Sequence, residues 1–439
     1  MNSSTRLGAR IAMVTASVVL GVLACTEEIT SPASCPDFCP SGQIVTVETL
    51  LTTAISRDST FRGYVEAHRG NMLLAATLPS LDSRPIFQTE PIAPRLRINT
   101  TTSDTTTGPI VVDSTKLTFT LLRRDSAAHN LRLVLYRLPL GLDSTSTFAG
   151  TDAAFGGTPI RAVNLDSLFA APGGRDSVTG DSVLRMDSVR HSVTFSLKFD
   201  TTQLPFVVAD SGRLALGVRV TADGAPSAAF GASDAGVGPE IAWFIRVDSA
   251  GTLLERPFQR RLVRFDTFVF DPPPVALDSN LIVGGVPAAR ALLRIALPRA
   301  IRDSSQIIRA TLILVPVAPV PATPPDSFFL MVNHVAADLG AKSPIATDTI
   351  APKSALFGPG LSDTVQIEVT SLLRFWQFDT TSATAVYLRL LALDRVFSTE
   401  LDGSEASTFT ALRLYSSRTP AFRPALRLTF SRRFRFGEP

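Results

Sequence analysis

The run His191-Ser-Val-Thr-Phe-Ser-Leu-Lys-Phe-Asp200 decides the fold class. Val193, Phe195, Leu197 and Phe199 share one parity; Ser192, Thr194, Ser196 and Lys198 share the other. Successive side chains of a strand point to opposite faces, so the run predicts a strand with one apolar face and one wet face. The same period of two returns at Leu117, Phe119 and Leu121, at Leu131, Leu133 and Leu135, and at Leu214, Leu216, Val218 and Val220. Further runs lie at 307–315, 365–369, 386–392 and 426–430. Between them stand 14 Asp-Ser dipeptides, which take half of the 28 aspartates. Short Asp and Ser side chains bond back to nearby backbone N–H groups and favour turns. Beyond residue 42 no stretch keeps helical periodicity for more than a turn or two. The chain reads as all-β, with antiparallel sheets packed on one side.

The strands recur in a similar order in the two halves, which predicts two tandem antiparallel β-sandwiches. The expected partition is 43–253 for the first, with a long Gly-, Asp- and Ser-rich insertion at 140–189. A linker is expected at 254–264, and the second sandwich over 265–439, folding on its own. Trp376 follows Leu372, Leu373 and Phe375 in what reads as a short helical turn, as a plug over the end of a sandwich would. Trp243, in Ile241-Ala-Trp-Phe-Ile-Arg246, reads as core or as an inter-domain contact, because that strand is apolar on both faces.

The N-terminus carries Arg6 and Arg10, then a mostly apolar run from Ile11 to Leu23, then Ala24 and Cys25. The apolar run is shorter than the ~20 residues that span a bilayer, as in a secretory signal. With cysteine at the cleavage position, Val22-Leu-Ala-Cys25 resembles the lipobox of bacterial lipoproteins. That resemblance implies removal of residues 1–24, a lipid on Cys25 and a tether over 25–42. It also implies a membrane-anchored envelope protein, in the outer membrane if the host has one, since Thr26 replaces the aspartate of inner-membrane retention. Cys35 and Cys39 are the remaining cysteines, and in an exported chain they read as a small local disulfide.

The second half holds Asn280-Leu-Ile-Val-Gly-Gly285, Arg290-Ala-Leu-Leu-Arg-Ile-Ala-Leu-Pro298 and Ile308-Arg-Ala-Thr-Leu-Ile-Leu314. After these come Val369-Thr-Ser-Leu-Leu-Arg-Phe-Trp376, a strand at 386–391, Glu405-Ala-Ser407 and Arg423-Pro-Ala-Leu-Arg-Leu-Thr-Phe430. In that order they resemble the DNRLRE or disaggregatase-type β-sandwich, classed among carbohydrate-binding modules. The resemblance covers roughly residues 265–431 and implies an exported, jelly-roll-like module.

No sequence signature of catalysis is present: no zinc-protease helix, nucleophile elbow, phosphate loop or dinucleotide fingerprint. His68, His129, His191 and His334 are scattered; His191 and His334 read as strand-end residues, and no metal ligand set or cofactor is expected. Asp166, Asp176, Asp181 and Asp187 could offer oxygens to calcium, but turn chemistry accounts for them and no EF-hand spacing is present. The formal net charge is +3 over 439 residues and about +1 once Arg6 and Arg10 are removed with residues 1–24, which with arginines dispersed gives no long-range pull on nucleic acid or anionic lipid. The expectation is a non-catalytic surface binding or adhesion module, for glycans. One alternative is a structural envelope protein binding a protein partner. Another is a polysaccharide hydrolase or lyase whose acidic site forms only on folding. Against a glycan role stands the shortage of aromatics on polar faces.

Overall fold

The computed structural model describes residues 46–63, 65–99, 105–189, 191–271, 279–346, 350–393 and 402–432. The expected signal segment 1–24, Cys25, Cys35, Cys39 and the whole expected tether 25–42 lie outside the described residues. The chain is all-β. β1 (Thr46–Leu51) and β2 (Ile55–Arg62) precede β3 (Met72–Leu78), β4 (Leu81–Thr89), β5 (Arg95–Arg97), β6 (Thr107–Arg124) and β7 (His129–Leu138). After α1 (Phe148–Phe155), β8 (Arg161–Asn164) and α2 (Leu165–Ala170) come β9 (Ser182–Asp187), β10 (Ser192–Phe199), β11 (Ala215–Asp223) and β12 (Ser227–Gly231). β13 (Glu240–Ser249), β14 (Thr252–Glu255) and β15 (Gln259–Phe270) finish the first half. The second half runs β16 (Leu281–Gly284), β17 (Ala289–Ile295), α3 (Arg299–Ser304), β18 (Ser305–Leu314), β19 (Phe328–His334) and β20 (Lys353–Phe357). It continues through β21 (Val365–Glu368), α4 (Thr370–Phe378), β22 (Ala385–Ala392), β23 (Ala411–Leu414) and β24 (Ala425–Arg432). Among the described residues no helix is long and apolar enough to cross a membrane.

The first body is a 13-stranded antiparallel sheet that curls until its pairings close. β6 pairs β13, β13 pairs β15, β15 pairs β4, β4 pairs β3, β3 pairs β12, and β12 returns to β6. Closure leaves open edges only on the strands that branch from the ring, among them β14 and β9. Most of the parity read at 191–200 holds: Phe195 lies opposite Phe119 and Leu197 opposite Leu117, all four inside with Phe199, while Val193 is only half-buried and Ser196, read as facing water, is buried where its hydroxyl meets that of Ser182. Phe119 and Phe195 stack with ring centroids 5.9 Å apart. Each such side chain removed from water contributes about 1.5–3 kcal/mol, and burial of this kind holds the body together. The 140–189 insertion is structured, supplying α1, α2 and strands β8 and β9. It packs so closely that a Cβ on Gly217 would lie 2.4 Å from the Phe155 ring, which only glycine accommodates.

The second body is a two-layer sandwich. Its four-stranded sheet, β1-β24-β18-β21, packs on a sheet ordered β20-β19-β22-β17-β16-β23, with β2 against β17. Ile307, Leu312 and Leu428 from the first layer meet Leu293, Leu330 and Leu388 from the second in one core. α4 caps that core with Leu372, Leu373 and Trp376 buried, so the plug read from the sequence is what this helix does.

Two expectations about the partition are corrected. Residues 254–264 are not a linker: β14 and β15 pair with β13, and β15 also runs along β4. Residues 46–62, assigned from the sequence to the first sandwich, belong to the second, where β2 pairs along the whole of β17. β2 reads Ile55-Ser-Arg-Asp-Ser-Thr-Phe-Arg62 and lacks clean alternation, because ladder hydrogen bonds rather than a buried apolar face hold most of it. The bodies share a core as well. Met72 to Ala76 are buried on both faces of β3, and the face turned away from the first core meets Phe268 and Phe409. Such a continuous apolar run is the mark of a strand covered on both sides. Residues 47–439 accordingly form one compact unit.

Candidate functional site

The outward face of the first body is built on β6, with β10 on one flank and β13 on the other. Because parity sends Leu117, Phe119, Phe195 and Trp243 inward, their neighbours must face out. Lys116 lies directly opposite Lys198, and Thr118 opposite Ser196. Hydroxyls pair across the face, Thr120 with Thr194 at 3.2 Å and Ser182 with Ser196 at 3.0 Å. On the other flank Glu240, Ala242 and Phe244 stand opposite Thr118, Lys116 and Ser114. Phe244 packs against Phe258 with centroids 5.7 Å apart, and Phe258 is 54 % exposed.

Planar ion pairs frame this face. Arg260 grips both oxygens of Glu240, its Nε donating at 2.7 Å, and Arg246 grips both oxygens of Asp113, at 2.9 and 3.1 Å from Nε. Beside them opens a cleft of about 560 Å³ lined by Asp113, Ser114, Arg161, Lys198, Asp200 and Gln203. Arg161 bonds the buried Asp181 and donates at 2.9 Å to the Lys198 carbonyl. The Thr202 hydroxyl and the Gln203 N–H hold the Asp200 carboxylate below the usual range. Asp113 accepts both of its bonds from Arg246, and Asp200 is held ionised by its own turn.

A second cleft of about 520 Å³ lies on the second body, lined by Ser56, Arg294, Arg302, Asp338, Ser382 and Thr384, with Trp376 at its base. Arg294 holds Asp338 bidentate. Hydroxyls of Ser382 and Thr381 pull the Asp379 carboxyl down to about 2. His334 lies against Trp376 and Phe375, its Nε2 3.2 Å from the Ala383 carbonyl, and burial lowers its pKa.

The residues singled out in the sequence fall as follows. Trp243 is core, fully buried and edge-on to Phe206 at 5.4 Å. His334 ends β19, His191 precedes β10 and His129 opens β7, while His68 sits in a short turn beside Glu66. The aspartates at 166–187 do turn and pairing work: Asp176 accepts the N–H groups of Val178 and Thr179, and Asp181 pairs with Arg161. Among the described residues no three His, Cys, Asp or Glu side chains are grouped to hold a metal. Arg290 and Glu405, from separate pieces of the family-like pattern, meet with Arg389 in a buried cluster, Glu405 being 1 % exposed. The aromatic pair Phe244–Phe258 was missed in the sequence. Its signal was parity: Phe244 alternates with Ala242 and Arg246, out of step with Ile241, Trp243 and Ile245.

No protein-family model matches the chain, and no curated protein matches it. Among solved structures, a chain titled BspA_C_mut aligns over 88 % of this chain and 82 % of its own length, at 8 % identity and a TM-score of 0.09, a likeness too slight to carry any argument.

Proposed function

We propose that this protein is a non-catalytic, lipid-anchored component of a bacterial cell envelope that binds glycans on the outward face of its first body. The observation that carries the reading is the exposed Phe258 ring, backed by Phe244, beside a face of hydroxyls and paired Arg–carboxylate groups. An aromatic face packs against pyranose C–H groups, and planar polar groups already fixed by one another bond sugar hydroxyls without further ordering. The anchor rests on the lipobox-like Val22-Leu-Ala-Cys25. Several acyl chains hold a protein at a bilayer firmly, where one holds it weakly. The full chain on a glycan array tests the binding. Reproducible hits that fall at least tenfold in Phe258→Ala support it; a blank array, or hits indifferent to Phe258, overturns it. Detergent-phase partition that is lost in Cys25→Ala supports the anchor, and a wild type found wholly in the aqueous phase refutes it.

A structural role beside a protein partner is favoured by one feature, β9. It is the outermost strand of its sheet and exposes Leu184 and Met186. A blank glycan array together with a stoichiometric co-purifying protein would select that reading.

A further inference from the structure

The geometry points to an oxyanion site at Lys116 and Lys198, so that the polymer lying on this face carries phosphate or sulfate esters. The carrier rests on the glycan reading above; the anion site does not. The chain has 4 lysines against 38 arginines. Two of the four stand directly opposite each other on adjacent antiparallel strands. Side chains so placed share a face with Cβ atoms about 5 Å apart, and like charges there oppose folding. Thr120 and Thr194 occupy the equivalent pair four residues along, which shows what a neutral pair looks like on this face.

The surrounding charges make the pair more telling. Each neighbouring carboxylate is already engaged: Asp113 by Arg246, Glu240 by Arg260, Asp181 by Arg161, and Asp200 by Thr202 and backbone N–H groups. In this region arginine makes every carboxylate pair, while neither lysine makes an ion pair among the described residues. The side chains beside Lys116 on the face are the hydroxyls of Ser114 and Thr118, with Ala242 opposite it on β13; next to Lys198 the Ser196 hydroxyl is buried against that of Ser182. Gly180 leaves room for the Lys198 stem, whose Cδ would lie 3.2 Å from a Cβ at that position. Two compact ammonium groups with three donors each, flanked by hydroxyls, suit a tetrahedral oxyanion better than a flat carboxylate, which the arginines here already take.

The test uses the full chain at low salt with dextran sulfate, unmodified dextran, sodium phosphate and anionic phosphatidylglycerol vesicles as probes. Dextran sulfate and phosphate should bind, with affinity falling at least tenfold in Lys116→Gln and in Lys198→Gln and unchanged in Lys342→Gln with Lys353→Gln. Added salt should weaken the binding. Absence of dextran sulfate and phosphate binding, or binding insensitive to Lys116 and Lys198, overturns the anion site. Lysine-dependent anion binding beside a blank glycan array and an inert Phe258→Ala keeps the site and removes the glycan. In that case, vesicle binding that depends on the same two lysines makes the carrier a lipid headgroup.

Discussion

Arg123 of β6 and Asp326, just before β19, form an ion pair with Nε 3.0 Å from Oδ2 and side chains only 5 % and 8 % exposed. The same guanidinium donates to the Leu393 carbonyl. Nearby, the Asn71 N–H donates to the Ser407 hydroxyl at 3.1 Å, and Phe268 meets Phe409 edge-on at 6.1 Å. These contacts tie the closed first body to the second sandwich.

Breaking a buried pair leaves its partner uncompensated, which costs about 3–5 kcal/mol. Asp326→Ala should therefore lower the urea midpoint sharply, with both bodies still unfolding in one transition. Two separate transitions in the wild type would show that the bodies are thermodynamically independent.

Residues 265–439 alone should not form a stable sandwich, contrary to the partition read from the sequence. That fragment lacks β2, which pairs with Ala289–Ile295, and β1, which lies beside β24. Circular dichroism should find it without a cooperative melt, whereas residues 46–439 melt cooperatively. A sharp, reversible melt of the short fragment would refute the assignment of β1 and β2.

Trp376→Ala should cost about 3–5 kcal/mol, the range for deleting a large core ring. The ring is 1 % exposed, and its Nε1 makes no hydrogen bond, so Trp376→Phe should cost clearly less. Chemical denaturation of both variants checks the order; equal costs would mean the indole N–H has a partner.

Acid should weaken the second body in two windows. Burial lowers the His334 pKa, so the unfolded chain takes up the proton first, and stability falls as pH drops below ~6.5. Asp379, held at about 2 by Ser382 and Thr381, adds stability above its unfolded pKa that is lost as pH falls from ~4 toward that value. His334→Leu should flatten the upper window and leave the lower one. An unchanged profile between pH 7 and 5 would exclude His334 as its source.

Much of the fold was legible along the chain. Period two at Val193–Phe199 and Leu117–Leu121 named the strands, their faces and the core side chains, because alternation is a local property of extended backbone. The cap at Leu372, Leu373 and Trp376 was legible for the same kind of reason, as large apolar side chains on adjacent turns seek one core. What alternation cannot say is which strand lies beside which. The pairing of β2 with β17 and the return of β12 to β6 depend on backbone hydrogen bonds, which carry no residue code. The candidate site shared that fate. Lys116 and Lys198 are 82 positions apart, and Phe244 and Phe258 looked like one more apolar run and a loop residue. Only the antiparallel register set the two lysines opposite each other and turned Phe244 outward, since facing across a ladder is settled by the tertiary fold.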